Sequence, residues 1–301
     1  MNFFFSICIT NERFIKGTPS VHEMKILICI RKSECRNNAL IVGGQIASAT
    51  NSEITVLFVL PKVSERFEEY FEADVDKKGR SLKDRIERSH KIDQRLLREA
   101  REVLSEMCIE TEVKLRRGDP VREVITESQE GNYDLIVVGS RALNGIKAKF
   151  ESFSEKLIEH ANIPVLVAHY YVRELSTILL CVEGTEESRL TIEFARDFAR
   201  AIEAKVTVLS VAGSEKQLDR AWEAVRHAEN ILKKAGIEID VETRIGKPID
   251  EIKKKSADYD LVLVGSHKFG ILEPLLMKNP SLEILESSQA PTLVVREKEQ
   301  S

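Results

Sequence analysis

The chain has 301 residues, which is enough for two domains of ordinary size, each with its own core. Its 45 Lys and Arg nearly balance its 49 Asp and Glu, so a net charge of −4 provides no broad positive field to attract nucleic acid. No apolar run approaches the roughly 18 residues that span a bilayer, which argues against an integral membrane protein.

The first 23 residues include an apolar start but have neither a basic segment before it nor a small-residue cleavage site after it. Because Met24 stands directly before the first strong strand, we expect this leader to lie outside the fold.

The five cysteines are odd in number and include no Cys-x-x-Cys pair. They indicate neither a disulfide framework nor a zinc site, and they favour a cytoplasmic location.

Strand and helix signals then run through the chain twice in the same order. The first pass opens with the continuous apolar run 25–30, and the second opens with 178–182, followed by a helix predicted at 186–204. Continuous apolar runs are typical of strands buried on both faces. Cys29 and Cys181 occupy equivalent positions in these runs, and we expect both to be buried, unreactive thiols.

Each pass continues with a second apolar strand, a long amphipathic helix, a third strand that ends in Gly-x-Pro, a fourth strand that ends in Val-Gly-Ser, and a fifth strand. The second, fourth and fifth strands are predicted at Ile54–Leu60, Tyr133–Ser140 and Pro164–Val167, and again at Val206–Val211, Tyr259–Ser266 and Pro291–Val295. Parallel strands need helical crossovers. The pattern therefore predicts an α/β protein of two tandem doubly wound domains, 24–170 and 176–299, each a five-stranded parallel sheet flanked by helices.

Between its first and fourth strands, the first copy carries about 26 residues more than the second copy. This charged insertion lies near Pro61–His90 and has Phe67, Tyr70 and Phe71 at helical spacing. It fits a solvated helix packed on a sheet edge, or a cover over the crevice where the strand order reverses. A short polar segment, Tyr171–Leu175, joins the two copies.

Several of these motifs resemble the universal stress protein family across nearly all of residues 25 to 297. They are the two Val-Gly-Ser strand ends, the two Gly-x-Pro turns, Ser154-Glu155-Lys156-Leu157 before the fifth strand, and Val182–Ser188. The resemblance implies that the domains pair through their last strands, so that a tandem chain forms a pseudo-dimer within itself. A further homodimer and an unidentified protein partner are left open.

In the nucleotide-binding branch of that family, strand four runs into Gly-x-x-Gly, nine residues and Gly-Ser or Gly-Thr, which wrap the phosphates. An acidic residue after strand one and a valine after strand two hold the adenosine. By resemblance, the binding residues of the first copy would be Arg31, Val59, Val138, Gly139, Arg141, Ala142 and Ser152. Those of the second copy would be Glu183, Gly184, Val211, Val264, Gly265, Ser266, Lys268, Lys278 and Asn279.

Both copies depart from the family pattern. Arg31 replaces the acidic residue in the first copy, whereas Glu183 keeps it in the second. Side chains replace glycines, whose backbone amides approach phosphate closely. Lys268 and Lys278 would supply charge to phosphates instead. If only one copy binds nucleotide, charge therefore favours the second.

The sequence has no Gly-x-x-x-x-Gly-Lys-Ser/Thr loop, no Gly-x-Ser-x-Gly elbow and no His-Glu-x-x-His helix. The predicted function is a stress-response or regulatory protein that binds an adenine nucleotide, ATP or AMP, with Mg²⁺ only alongside ATP, and is not a dedicated enzyme. Two alternatives stay open. One is an interaction protein whose phosphate loop has degenerated, and the other is a slow ATP-hydrolysing enzyme.

Overall fold

The computed structural model describes most of both predicted copies. The leader 1–23 and the whole insertion, Pro61–His90, lie outside the described residues. The described ranges are 24–30, 36–60, 95, 97–139, 153–169, 172–184, 186–265 and 280–295.

Ten strands are found in the described part of the chain, five in each copy. They are β1 Lys25–Ile30, β2 Glu53–Leu60, β3 Thr111–Arg117, β4 Leu135–Gly139, β5 Val165–Ala168, β6 Thr177–Cys181, β7 Lys205–Ala212, β8 Ile239–Ile245, β9 Leu261–Gly265 and β10 Thr292–Val295. The central strands are buried except at one terminal residue each, which explains their continuous apolar sequences.

The helices cross over between these strands. They are α1 Arg36–Thr50, α2 97–106, α3 Pro120–Glu130, α4 Phe153–His160, α5 Glu186–Ala201, α6 Leu218–Lys234, α7 Pro248–Ser256 and α8 Pro280–Ser287. Helix α5 stops three residues earlier than predicted, because Glu203 adopts a left-handed φ of 54° that a helix cannot continue through. None of the described helices is long and apolar enough to cross a membrane.

All ten strands form one sheet in the order β3-β2-β1-β4-β5-β10-β9-β6-β7-β8. Within each half the strands are parallel and the strand order reverses between the first and fourth strands, as a doubly wound fold requires. The predicted fold class is therefore confirmed. The halves meet where β5 pairs antiparallel with β10, with Leu166 opposite Leu293, so the chain forms the pseudo-dimer within itself.

The register confirms the predicted repeat. Ile26 pairs with Leu135 in the first half, and Ile178 pairs with Leu261 in the second, so Cys29 and Cys181 are equivalent. An aspartate before the fourth strand anchors the first strand in both halves. Asp134 accepts a hydrogen bond from the Lys25 amide at 3.0 Å, and Asp260 accepts from the Thr177 amide at 2.9 Å.

The segment between the copies is more buried than its polar sequence indicates. Val172 and Leu175 are each only 7% exposed, and both belong to an apolar cluster that contains residues of both halves. The Gln45 side chain in α1 donates to the carbonyl oxygens of Val172 and Arg173 at 3.4 and 2.8 Å. Packing against α1 therefore fixes this connection, because burial of two apolar side chains outweighs the polarity of their neighbours.

Candidate functional site: a cavity at the switch point of the second copy

A cavity of about 360 Å³ opens at the carboxyl ends of β6, β7 and β9. It lies where the strand order of the second half reverses, which is where open α/β sheets bind ligands. Its lining residues are Cys181, Val182, Glu183, Ser188, Leu209, Ser210, Val211, Ala212, Gly213, Gln217, Arg220, Ala221, Pro248, Ile252, Val264, Gly265, Ser281 and Ile284.

The turn after β6 carries Glu183 to the cavity. The amide of Glu183 donates to the Ser188 hydroxyl at 3.2 Å, which ties the turn to the beginning of α5. Gly184 has a φ of +73°, and a Cβ at this position would lie 3.2 Å from the Cβ of Ala224 in α6. Glycine is therefore needed both for the left-handed backbone and for the close approach of α6.

The end of β7 forms the next wall. The Val182 amide donates to the Leu209 carbonyl at 2.9 Å, so Leu209 directs its backbone groups toward β6. Alternate residues of a parallel strand direct their N–H and C=O to the same side. Val211 therefore directs both groups to that side beyond the end of β6, where the cavity opens. This places one donor and one acceptor beside each other in the wall.

Apolar side chains and the end of β9 line the rest of the cavity. Leu209, Ile252 and Val264 are buried, and Gly265 follows Val264 at the strand end. The hydroxyl of Ser281 in α8 donates to the Gly265 carbonyl at 2.8 Å, which holds the beginning of α8 against β9. A flat apolar group fits such walls, since they bury it without leaving polar atoms unpaired.

The Cys181 thiol also lines the cavity, which changes one expectation from the sequence. Cys29 is 5% exposed and fully within the core, but Cys181 is only partly buried because its strand ends there at the cavity. Burial, with a smaller effect of the Glu183 carboxylate, raises the pKa of Cys181 to about 12. The thiol is therefore protonated at neutral pH although it is accessible from the cavity.

The α6 wall contributes two polar residues that sequence reasoning missed. The Gln217 side-chain oxygen accepts a hydrogen bond from the Gly213 amide at 3.0 Å, and Arg220 follows one turn later. Gln217 and Arg220 are three residues apart just before the apolar stripe of α6, so the sequence could have predicted that they lie on one face of a helix. The sequence could not predict that this face is directed toward the strand ends, because that depends on how closely Ala224 packs against Gly184.

The structure brings together part of the predicted site. Glu183, Val211, Val264 and Gly265 line the cavity, and Gly184 forms the adjoining turn. In the first half, Val59, Val138 and Gly139 occupy the equivalent strand positions. The other predicted residues lie outside the described residues: Arg31, Arg141, Ala142, Ser152, Ser266, Lys268, Lys278 and Asn279. Within the described ranges, no group of three or more His, Cys, Asp or Glu is placed to hold a metal ion.

The fold defines a class of protein: two doubly wound domains in tandem, with a crevice at the strand ends. Comparison with known proteins supports this classification. Residues 24–169 and residues 174–296 each match the model of the universal stress protein family. The chain belongs to that family, as its motifs indicated.

Individual relatives differ in how much of the chain they match. A universal stress protein of Mycolicibacterium smegmatis is 23% identical over 297 residues, which cover 92% of this chain and 98% of that protein. A universal stress protein of Synechocystis sp. is 24% identical over 177 residues, which cover 56% of this chain and 60% of that protein. The chain thus matches less than two thirds of the length of the second relative.

Solved structures show the same tandem fold. The crystal structure of a universal stress protein from Archaeoglobus fulgidus matches with a TM-score of 0.71 at 20% identity. The match covers 92% of this chain and 97% of that protein's chain. A protein of unknown function from Pseudomonas aeruginosa has a TM-score of 0.61 at 19% identity and covers 93% and 94%. At these identities the similarity establishes the fold.

Proposed function

We propose that the cavity of the second copy binds an adenine nucleotide, ATP or AMP, and that the chain is a cytoplasmic regulatory protein of the stress response rather than a dedicated enzyme. We take the two domains to be 24–170 and 176–299. The observation that carries the proposal is the cavity itself, whose volume of about 360 Å³ is in the range of small-molecule sites. It lies at the switch point and contains an acidic residue in its wall.

Three features of the cavity suit the parts of a nucleoside. The Glu183 carboxylate accepts hydrogen bonds, and the ribose hydroxyls donate them. The N–H and C=O of Val211 match the acceptor N1 and the donor N6 of adenine, which lie side by side on one edge of the ring. The apolar walls at Leu209, Ile252 and Val264 bury the ring faces.

We assign the phosphates to the segment that follows β9, which contains Lys268 and Lys278. Glu183 repels phosphate, so the phosphates would lie away from its carboxylate. Mg²⁺ would enter with ATP, carried by the nucleotide's own oxygens.

Titration calorimetry on the full chain tests this proposal. We expect one AMP or ATP per chain, and at least tenfold weaker binding by Glu183→Ala, because the ribose loses its charged acceptor. Glu223→Ala is the matched control, since Glu223 is exposed on α6 and does not line the cavity. Its affinity should equal that of the wild type.

The other outcomes decide between the alternatives. Absence of heat with either nucleotide would favour the interaction protein without nucleotide. Binding that survives Glu183→Ala but disappears with Gly139→Trp would move the site to the first copy. Release of phosphate from ATP at a steady rate, dependent on Mg²⁺, would favour the slow ATP-hydrolysing enzyme.

A further inference from the structure

The charges in the cavity wall come from two neighbouring segments. Of the described residues that line the cavity, Glu183 and Arg220 carry charge. Arg220 lies in the first turn of α6, and its carbonyl oxygen is 3.9 Å from the position that a Cβ on Gly184 would occupy. An anion and a cation therefore border the same cavity from segments that touch each other.

Arg220 differs from another arginine of the second copy in its polar contacts with the described residues. Arg244, in comparison, forms ion pairs with Glu242 and Glu251 at 2.6 and 3.0 Å. The Arg220 side chain forms no hydrogen bond or ion pair with another described residue, and this includes Glu183 beside it. Within the described part of the chain, the five N–H donors of its guanidinium group are therefore not engaged.

The surroundings of Arg220 add to this donor character. Helix α6 has 17 residues, and its N-cap residue Gln217 makes no side-chain capping hydrogen bond. A 3-10 turn, Glu215–Gln217, runs directly into α6, and Arg220 lies near the positive end of the dipole of this helix. Since the Gln217 side-chain oxygen already accepts from Gly213, the part of Gln217 left for a ligand is its N–H₂ group.

We propose that Arg220 contacts the bound nucleotide and donates hydrogen bonds to its acceptor atoms. This inference rests on the proposed function. Phosphate oxygens and the ring nitrogens of the base share this acceptor chemistry, and a guanidinium group binds either in a bidentate manner. The first copy has Ile92 at the equivalent sequence position, so the contact would belong to the second copy alone.

Affinities of the full chain for AMP and for adenosine test the role of Arg220. We expect Arg220→Ala to weaken AMP binding at least tenfold, and Arg220→Lys to recover only part, because lysine keeps the charge but loses the planar pair of donors. Arg226→Ala is the matched control, as Arg226 is exposed on the same helix and does not line the cavity. It should bind as the wild type does.

The two ligands identify the contacted atoms. If Arg220 holds phosphate, Arg220→Ala leaves adenosine affinity unchanged, whereas if it holds the base, both ligands weaken by the same factor. Equal affinities of Arg220→Ala and Arg226→Ala for both ligands would overturn the inference and leave the proposed function standing. Absence of binding by the wild type would overturn both.

Discussion

The third strand and third helix of each copy hold an ion pair in the same place but with opposite polarity. In the first copy, Lys114 of β3 binds Glu127 of α3 at 2.9 Å. In the second, Glu242 of β8 binds Lys255 of α7, also at 2.9 Å. Counted from the Gly-x-Pro turns, these are equivalent positions. The backbone therefore fixes where two long side chains meet, whereas either order of charges satisfies the contact.

The two networks differ in burial. The Glu127 side chain is 4% exposed, and it also binds Arg116 and Tyr133. In the second copy the side chains of Glu242 and Lys255 are 28% and 22% exposed. Since an ion in a less polar environment depends more on its partners, the same contact should matter more for stability in the first copy.

The sequences around the two crevices also differ, beyond the insertion that only the first copy carries. The second copy has Glu183, Gly184 and Arg220 around its cavity, and the first copy has Arg31, Lys32 and Ile92 at the equivalent sequence positions. The strands that carry these positions have the same register in both copies. Under the proposed function, a duplicated fold would separate a binding half from a structural half by changes at a strand end and at the beginning of a neighbouring helix, while the sheet itself is kept.

Among the changes that test this comparison, removal of Glu127 should have the largest effect on stability. We expect Glu127→Ala to lower the free energy of unfolding by about 2–3 kcal/mol, because it leaves Lys114 and Arg116 without their shared anion. Lys255→Ala should cost about 1 kcal/mol, since Glu242 still binds Arg244. Urea denaturation measures both changes, and equal losses would contradict the difference in burial.

The same carboxylate predicts a pH dependence. Burial alone would raise the pKa of Glu127, but hydrogen bonds from Lys114 and Arg116 outweigh it and hold the pKa below the ordinary 4.5. A lowered pKa in the folded state stabilises the protein above the unfolded value, and this contribution is lost as pH falls through the folded value. The stability difference between wild type and Glu127→Gln should therefore be constant near pH 7 and shrink below about pH 4.5.

Reversal of the first pair should sharpen the comparison with a smaller net effect. The double variant Lys114→Glu, Glu127→Lys would reproduce the polarity of the second copy, where Lys255 also lies over the Tyr259 ring at 5.9 Å. We expect each single change to destabilise, and the double variant to recover about 1–2 kcal/mol of the summed loss in a double-mutant cycle. If the double variant lost as much free energy of unfolding as the two single variants together, the reversed order of charges would not satisfy the contact in the first copy.

The repeat and the doubly wound parallel fold could be predicted from the sequence, because buried parallel strands are continuous apolar runs with recognisable ends. Glu183 and Val211 were assigned by resemblance to the universal stress protein family, whose nucleotide-binding branch has an acidic residue after strand one and a valine after strand two. Arg220 could not be predicted, since its place depends on the distance between α6 and the Gly184 turn. The burial of Val172 and Leu175 was missed for a similar reason: it arises from packing on α1, which the local sequence does not encode.

The smallest expected effect concerns the equivalent cysteines, whose thiols both have a raised pKa but differ in burial. Among the three cysteines in the described ranges, Cys108 is exposed and should react first with iodoacetamide at neutral pH, which makes it an internal control. Cys181 should react far more slowly, because its pKa of about 12 leaves few thiolates, and Cys29 should react most slowly, because the core also excludes the reagent. Peptide mass spectrometry after timed labelling measures all three rates.

Under the proposed function, AMP should slow the labelling of Cys181 further and leave the labelling of Cys108 and Cys29 unchanged. Equal slowing of all three would instead indicate general stabilisation, and a faster reaction at Cys29 than at Cys181 would contradict the cavity as the route to the thiol.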